Sequence, residues 1–310
     1  MLRLAMSSRA ETFERVRDPL ADRGIEVCHL RAKERAIRLT DGIAVDAGDR
    51  DGPTADPPDP DSYDVGFVYP SRLMEGAALD ARLDLPWVND REAVLTSRNK
   101  AGVIATLDAA GLPVPKTTMV SNPADEDAVV DAVTDFEYPV VVKPNSATRG
   151  VGVAKATDLD DLLGVVDYLN LVHDYRATGD KSYLIQEFIP DARDYRAMIL
   201  ADADGPRYAG AVERRLGDGH RREGRWKHNV HRGAAAVGVD VPDEHRVLAE
   251  RAAETLGIGY LGVDLLETDD RLVVTETNAR PTVDAATKYE PDFYDRLAGL
   301  IRRTARREGT

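Results

Sequence analysis

Two apolar runs near the C-terminus, residues 261–267 and 272–277, are separated only by Thr268-Asp-Asp-Arg271. A link this short cannot carry a strand to a parallel neighbour, which takes a dozen or more residues, so the runs must pair as an antiparallel hairpin. That constraint fixes which side chains meet. A turn centred near Asp270 puts Asp264 directly opposite Glu276, and Asn278, two residues further on, shares the face of Glu276. Cross-strand neighbours lie about 5 Å apart. Two carboxylates and an amide oxygen therefore converge in a hairpin otherwise built from Leu265, Leu266, Val273 and Val274. Carboxylates this close repel unless a cation lies between them, and such oxygens suit Mg²⁺ or Mn²⁺. The alternative is a polar face turned to solvent.

The rest of the chain separates into two patterns. Residues 2–6, 25–30 and 63–69 form short apolar runs, with an amphipathic helix over 11–23 stopped by Gly24 and another over 73–82. Trp87-Val-Asn89 adds a short strand, and residues 1–95 predict a small parallel-sheet domain. A helix over 90–110 follows, closed by Gly111-Leu-Pro113. Beyond it, runs at 140–143, 151–155, 183–188, 195–200 and 208–212 predict strands without a repeated strand–helix–strand order. The fold class expected is α/β followed by α+β, with a closing helix over 293–307.

Composition narrows the partners. The 310 residues carry a net charge of −14, with 37 Asp and 18 Glu against 33 Arg and only 8 Lys. An acidic surface repels nucleic acid and anionic membranes, so neither is an expected partner. The Asp-rich, Lys-poor balance fits a high-salt, halophilic setting, or a GC-rich genome that replaces Lys by Arg. A single cysteine, Cys28, excludes an intrachain disulfide and a cysteine zinc site. No signal-peptide core and no membrane-length apolar run is present, and a cytoplasmic location is expected. Residues 41–64 hold eight Asp, four Pro and one Arg, and predict an exposed acidic loop.

Two other stretches stand out. Lys143 ends a run of three valines and precedes Asn145-Ser-Ala-Thr-Arg-Gly-Val-Gly152, a small polar loop able to offer backbone N–H groups and Arg149 to an anion. An ordinary hairpin turn has the same composition. Residues 213–232, expected as a polar loop, carry +4 inside an acidic protein and so attract anions locally. Their three histidines, His220, His228 and His231, lack helical spacing, which disfavours zinc.

Taken in order, these segments resemble the ATP-grasp superfamily, and within it the RimK-like α-L-glutamate ligases. The resemblance runs from about Trp87 to Lys288. Its landmarks are Asn99-Lys100, Gly111-Leu-Pro-Val-Pro115, Pro139-Val-Val-Val-Lys-Pro144 with its glycine loop, Ile185-Gln-Glu-Phe-Ile189, Asp194-Tyr-Arg196, Trp226-Lys-His-Asn229, Gly262-Val-Asp264 and Glu276-Thr-Asn278. The resemblance implies a Rossmann-like domain over 1–95, a central lobe over 96–186 and a C-terminal lobe over 187–310. It implies that ATP is held by Lys100, Lys143, Ser146, Arg149, Gly150, Gly152, Gln186, Glu187, Phe188, Ile189, Asp194, Lys227 and Asn229. Glu187, with the backbone of Phe188 and Ile189, would meet the adenine and Asp194 the ribose. Lys227 and Asn229 would contact the terminal phosphates, and Arg214 or Arg215 the acyl phosphate or carboxylate substrate. These four residues form the implied catalytic set. Asp264, Glu276 and Asn278 would hold two Mg²⁺ ions, with Mn²⁺ as a substitute.

The sequence departs from the family pattern near its substrate end, where Ala279-Arg-Pro-Thr282 and His231-Arg-Gly-Ala234 replace more glycine-rich segments. The implied activity is ATP-dependent joining of a carboxylate to an amine. The expected partners are a small amino acid such as L-glutamate and a carboxylate acceptor on a cofactor, peptide or carrier protein. A homo-oligomer remains open, as does a non-catalytic ATP-binding regulator.

Overall fold

The computed structural model describes residues 1–8, 11–33, 36, 62–147, 150–172, 180–217, 219, 226–227 and 233–306. Most of the expected acidic loop, residues 41–61, lies outside them, as do Arg149, His220, His228, Asn229 and His231.

Three sheets organise the chain. In the first, β1 (Leu2–Met6) lies between β2 (Ile25–His29) and β3 (Val65–Phe67), all parallel. Helices α1 (Glu11–Ala21) and α2 (Leu73–Leu83) accompany it. The second is antiparallel, built from β4 (Thr117–Val120), β5 (Val140–Pro144), β6 (Ala154–Ala156) and β7 (Tyr183–Glu187) in the order β4-β7-β5-β6. Helices α5 (Glu126–Val133) and α6 (Leu159–Val172) cover it. The third, also antiparallel, holds β8 (Arg193–Ala201), β9 (Pro206–Arg215), β10 (Ala235–Val239), β11 (Tyr260–Glu267) and β12 (Leu272–Asn278), in the order β10-β9-β8-β11-β12. The parallel start and antiparallel remainder agree with the fold class expected from sequence.

The 90–110 segment is two helices, not one: α3 (Arg91–Arg98) and α4 (Lys100–Ala109) meet at Asn99. Asn99 leaves helical geometry and its side chain accepts from the Gly102 N–H, capping α4. Apolar periodicity carries through the break, which is why the sequence suggested one helix. The break matters because it starts α4 at Lys100, whose side chain is buried.

Packing assigns α4 to the large sheet. Val103 and Leu107 share a core with Leu261, Val263, Leu265 and Val274, and with Leu248 and Ala252 of α7 (Asp243–Leu256). The small-lobe sheet itself therefore begins only at Thr117, later than residue 96. Its core is separate: Val129, Val140, Val142, Leu162, Val166, Tyr183 and Ile185. The parallel sheet, by contrast, shares a core with the large sheet and with α8 (Phe293–Ala305), through Leu4, Met6, Phe67, Leu200, Tyr260, Phe293 and Leu297. One apolar body thus faces one independently packed lobe, and a cleft between them is the natural ligand position.

Two local features set the site's register. Residues 265–267 of β11 pair with 274, 273 and 272 of β12, which centres the turn between Asp269 and Asp270, half a residue from the expected place. A bulge at Thr275 then shifts the pairing, so that Asp264 does face Glu276 and Gly262 faces Asn278. In addition β9 continues to Arg215, so residues 213–215 are strand and not the start of the polar loop.

The parallel-sheet domain is tied to the site by Asn89. Its buried amide donates to the carbonyls of Tyr260 (2.5 Å) and Ala279 (2.6 Å), at the start of β11 and just past the end of β12. Asn89→Ala leaves two buried carbonyls without this donor. It should lower unfolding free energy by about 2–4 kcal/mol, read as a lower urea midpoint at unchanged slope.

Candidate functional site

Asp264 occupies the middle of the large sheet and is buried. Arg196, its neighbour on β8, forks onto it with Nε–Oδ1 at 2.7 Å and Nη2–Oδ2 at 2.8 Å. Arg214 of β9 reaches across from the next strand, donating to Asp264 Oδ2 at 3.0 Å and to Asp194 at 2.9 Å. Burial by itself would raise the Asp264 pKa, but the two guanidiniums outweigh it and hold the carboxyl well below the ordinary range. Asp194, Arg196, Arg214 and Asp264 share one face because strand side chains alternate and the register aligns them.

Glu276 stands on the same face, half exposed, with Oε1 3.4 Å from the Lys100 ammonium. Lys100 also donates to the carbonyls of Asn145 (3.3 Å) and Ala147 (2.5 Å), in the loop after β5. The Asn145 side chain accepts from the Ala101 N–H and donates to Asn99 Oδ1. The helix break, the glycine-bearing loop and the hairpin therefore meet at Lys100. A cleft of about 430 Å³ opens beside this junction, lined by Arg98 and Asn99 on one side and Asn145, Ser146 and Asp180 on the other.

Lys143 points inward from β5, fully buried, and donates to Gln186 Oε1 at 2.9 Å. Burial pushes its pKa down to about 8, against the attraction of Glu276 and Asp264. Gln186 in turn donates to Thr117, so it orients the ammonium rather than leaving it mobile. Four cationic side chains, Lys100, Lys143, Arg196 and Arg214, thus surround Asp194, Asp264 and Glu276.

The strand leaving the small lobe supplies the other wall. Glu187 accepts from the Lys116 N–H at 2.8 Å and pairs with Arg271 at 2.6 Å, joining the two lobes. Phe188 meets Trp226 edge to face at 5.6 Å, and the Lys155 ammonium lies 4.9 Å from the Phe188 ring centre. Ile189, the next residue, is buried. Lys227 donates to the Val153 carbonyl, so residues 226–227 lie against the glycine-bearing loop. Gly150 and Gly152 both take left-handed backbone angles, and a Cβ on Gly152 would lie 2.7 Å from the Pro144 ring. Only a glycine lets the loop close onto the residue after Lys143.

The structure thus brings together Lys100, Lys143, Asp194, Arg214, Asp264 and Glu276; Ser146 lines the cleft, Gln186 holds Lys143, and Phe188 and Lys227 lie with Trp226 and Val153. Asn278, two residues from Glu276, uses its side-chain oxygen to accept from the Arg280 N–H at 2.9 Å. Arg215 is the exception. It follows Arg214 on a strand, faces the other side of the sheet and pairs with Glu213 at 2.5 Å. Between the two arginines only Arg214 points into the site. Arg149 and Asn229 lie outside the described residues. Sequence reasoning gave no role to Arg196 or Lys155. Arg196 was accessible, because it pairs with the Asp264 face once the β8–β11 register is known; that register is a tertiary fact.

An ammonium buried among these groups opposes folding. Lys143 stays charged in both states below pH 8, so its burial penalty is fully present there. Above pH 8 the folded state releases the proton first, and the penalty fades as pH approaches the ordinary lysine value. Lys143→Met should therefore be more stable than the parent at pH 7, by on the order of 3 kcal/mol, with the gain shrinking between pH 8 and 10. Urea unfolding across that range measures it.

Comparison with known proteins identifies the family. A family profile described as the RimK-like ATP-grasp domain matches residues 97–293. A probable alpha-L-glutamate ligase of Legionella pneumophila (strain Corby) is 29% identical over 203 residues, covering 65% of this chain and 61% of that protein. The ribosomal protein bS6–L-glutamate ligase of Escherichia coli O139:H28 is also 29% identical over 203 residues, at 65% and 62% coverage. The chain thus aligns with less than two thirds of these relatives' length. Among solved structures, a RimK domain ATP-grasp protein from Sphaerobacter thermophilus superposes with a TM-score of 0.63 at 23% identity, over 98% of this chain and 99% of that one. D-alanine–D-alanine ligase from Bacillus anthracis, solved with ATP, gives 0.65 at 15% identity, over 99% and 98%. With the profile spanning more than half of its length, and with antiparallel lobes closing on Lys100, Lys143 and Asp264, the chain belongs to the RimK-like ATP-grasp family.

Proposed function

We propose that the protein is an ATP-dependent carboxylate–amine ligase. The observation that carries this reading is the meeting of Lys143 from the small lobe with Lys100, Asp264, Glu276 and Arg214 from the large-sheet body. In the proposed reaction a carboxylate oxygen attacks the γ-phosphorus of ATP, giving an acyl phosphate and ADP. The amine nitrogen then attacks the acyl carbon, and phosphate leaves with the former C–O electron pair. Neither step needs a side-chain nucleophile. The protein's task is to position and neutralise a phosphoryl group, which is electrostatic work.

Each residue then has a part. Lys100, Lys143 and Lys227 bind phosphate oxygens, with backbone N–H groups near Gly150 and Gly152 and with Ser146. Arg214, anchored by Asp194 and Asp264, points its charge at the transferring group. Gln186 and the backbone of Glu187, Phe188 and Ile189 line the nucleobase end, with Asp194 at the sugar. The donor set suits Mg²⁺: Asp264, Glu276 and Asn278 offer only oxygens, on adjacent positions of one hairpin face. Mg²⁺ held there would supply charge neutralisation to the phosphates. Both Asp264 oxygens accept from Arg196 and Arg214, so a cation there would share the carboxylate with those guanidiniums.

The amine is proposed to be L-glutamate or another amino acid, and the acceptor a carboxylate on a cofactor, peptide or carrier protein. The glutamate-ligase relatives support that choice. A cytoplasmic location is part of the reading; among the described residues no helix is long and apolar enough to cross a membrane.

ADP release from Mg·ATP with amino-acid mixtures and a host-cell extract, followed by mass spectrometry of the products, tests the reaction. A product heavier by one amino-acid residue is expected. Tight Mg·ATP binding without ADP release, for any acid and amine pair, would instead mark a nucleotide-binding regulator. Glu276→Ala should reduce turnover at least about 100-fold with unchanged circular dichroism, because Glu276 is half exposed and supports no core. Unchanged turnover would remove it from the metal set.

A further inference from the structure

The large sheet has a second polar cluster, on the face away from the candidate active site. Glu267 lies three residues beyond Asp264 on β11 and therefore points to the opposite side. There it meets His245, in the first turn of α7. The imidazole is fully buried, and among the described residues neither of its ring nitrogens makes a hydrogen bond. Yet each nitrogen faces a carboxylate: Nε2 lies 3.4 Å from Glu267 Oε1, and Nδ1 lies 3.9 Å from Glu244 Oε1. A buried imidazole with two unused nitrogens is unfavourable unless something else satisfies it.

The surroundings prepare Glu267 for that role. Tyr195 and Arg193 both donate to its Oε2, at 2.8 and 3.3 Å, leaving Oε1 turned to the ring. Such outer hydrogen bonds are what orient a ligating carboxylate. One ligand atom from each of Glu244, His245 and Glu267 falls within a 4.8 Å group. Metal bonds of about 2.0–2.2 Å put neighbouring ligand atoms of a tetrahedral ion roughly 3.3–3.5 Å apart. The His245–Glu267 pair already has that spacing. Glu244 is exposed and faces Nδ1, so joining an ion bound at Nε2 beside Glu267 requires its side chain to swing around the ring.

We propose that Glu244, His245 and Glu267 form a transition-metal site of the zinc class, separate from the all-oxygen hairpin set, which clips the start of α7 to the end of β11. An imidazole nitrogen favours zinc-like ions over Mg²⁺. The local charges are three carboxylates, Glu213, Glu244 and Glu267, against two guanidiniums, Arg193 and Arg215.

Co²⁺ is a visible stand-in for Zn²⁺. The untagged full-length chain should be titrated with Co²⁺ in excess Mg²⁺, which saturates oxygen-only sites. One equivalent with the intense visible bands of a low-coordinate, nitrogen-ligated ion is expected, displaced by Zn²⁺. Losing even an outer partner of a metal site typically weakens binding 10–100-fold, so Glu244→Gln and His245→Asn should each weaken it at least about tenfold. Absence of such bands, or bands unaffected by Glu244→Gln, would overturn the proposal. Glu244→Gln decides the matter alone should the buried His245→Asn variant fail to fold.

Discussion

The bidentate pairing of Arg196 with Asp264, tightened by Arg214, is the interaction around which the large sheet is arranged. It joins β8, β9 and β11 through side chains as well as through the backbone ladder. A buried carboxylate left alone would protonate. Held by two guanidiniums it keeps its charge. Removing either partner strands the other in the interior, so the cluster is constrained from within whatever ligand it serves.

Around this pairing the two faces of one sheet acquire different chemistry. On one face, Asp194, Arg196, Arg214, Asp264 and Glu276 look into the cleft. On the other, Arg193, Tyr195, Glu213, Arg215 and Glu267 form a second polar layer against α7. Strand alternation alone produces the split, and it explains why adjacent arginines, 214 and 215, have different partners. The small lobe then supplies what the large sheet lacks: a buried ammonium on β5, a glycine-bearing loop and the wall formed by Gln186 to Ile189. Because its core is separate, it meets the body through polar contacts at Lys100 and Glu187. Interfaces of that kind permit lobes to move relative to one another.

Much of this was legible in the residue order. A four-residue turn dictated the hairpin, and period-two alternation dictated that Glu276 and Asn278 share a face. The parallel start and antiparallel remainder followed from apolar spacing. The break at Asn99 was not legible, because amphipathic periodicity survives a one-residue interruption while the cap depends on how Asn99 and Asn145 meet. The extension of β9 to Arg215 was also hidden, since a charged run looks like a loop until neighbouring strands pair with it.

The sequence by itself determined the class of fold, the hairpin carrying Asp264 and Glu276, and the residues able to bind an anion or a hard cation. These depend on local spacing and side-chain chemistry, which the order of residues states directly. Only the tertiary structure decided that Arg196 and Arg214 converge on Asp264, that Lys143 and Gln186 are buried together, and that a bulge at Thr275 restores the register the turn would have missed. The side-chain pairings among those facts join residues 43 to 68 apart in the chain. They rest on strand pairing and core packing, which no local pattern records.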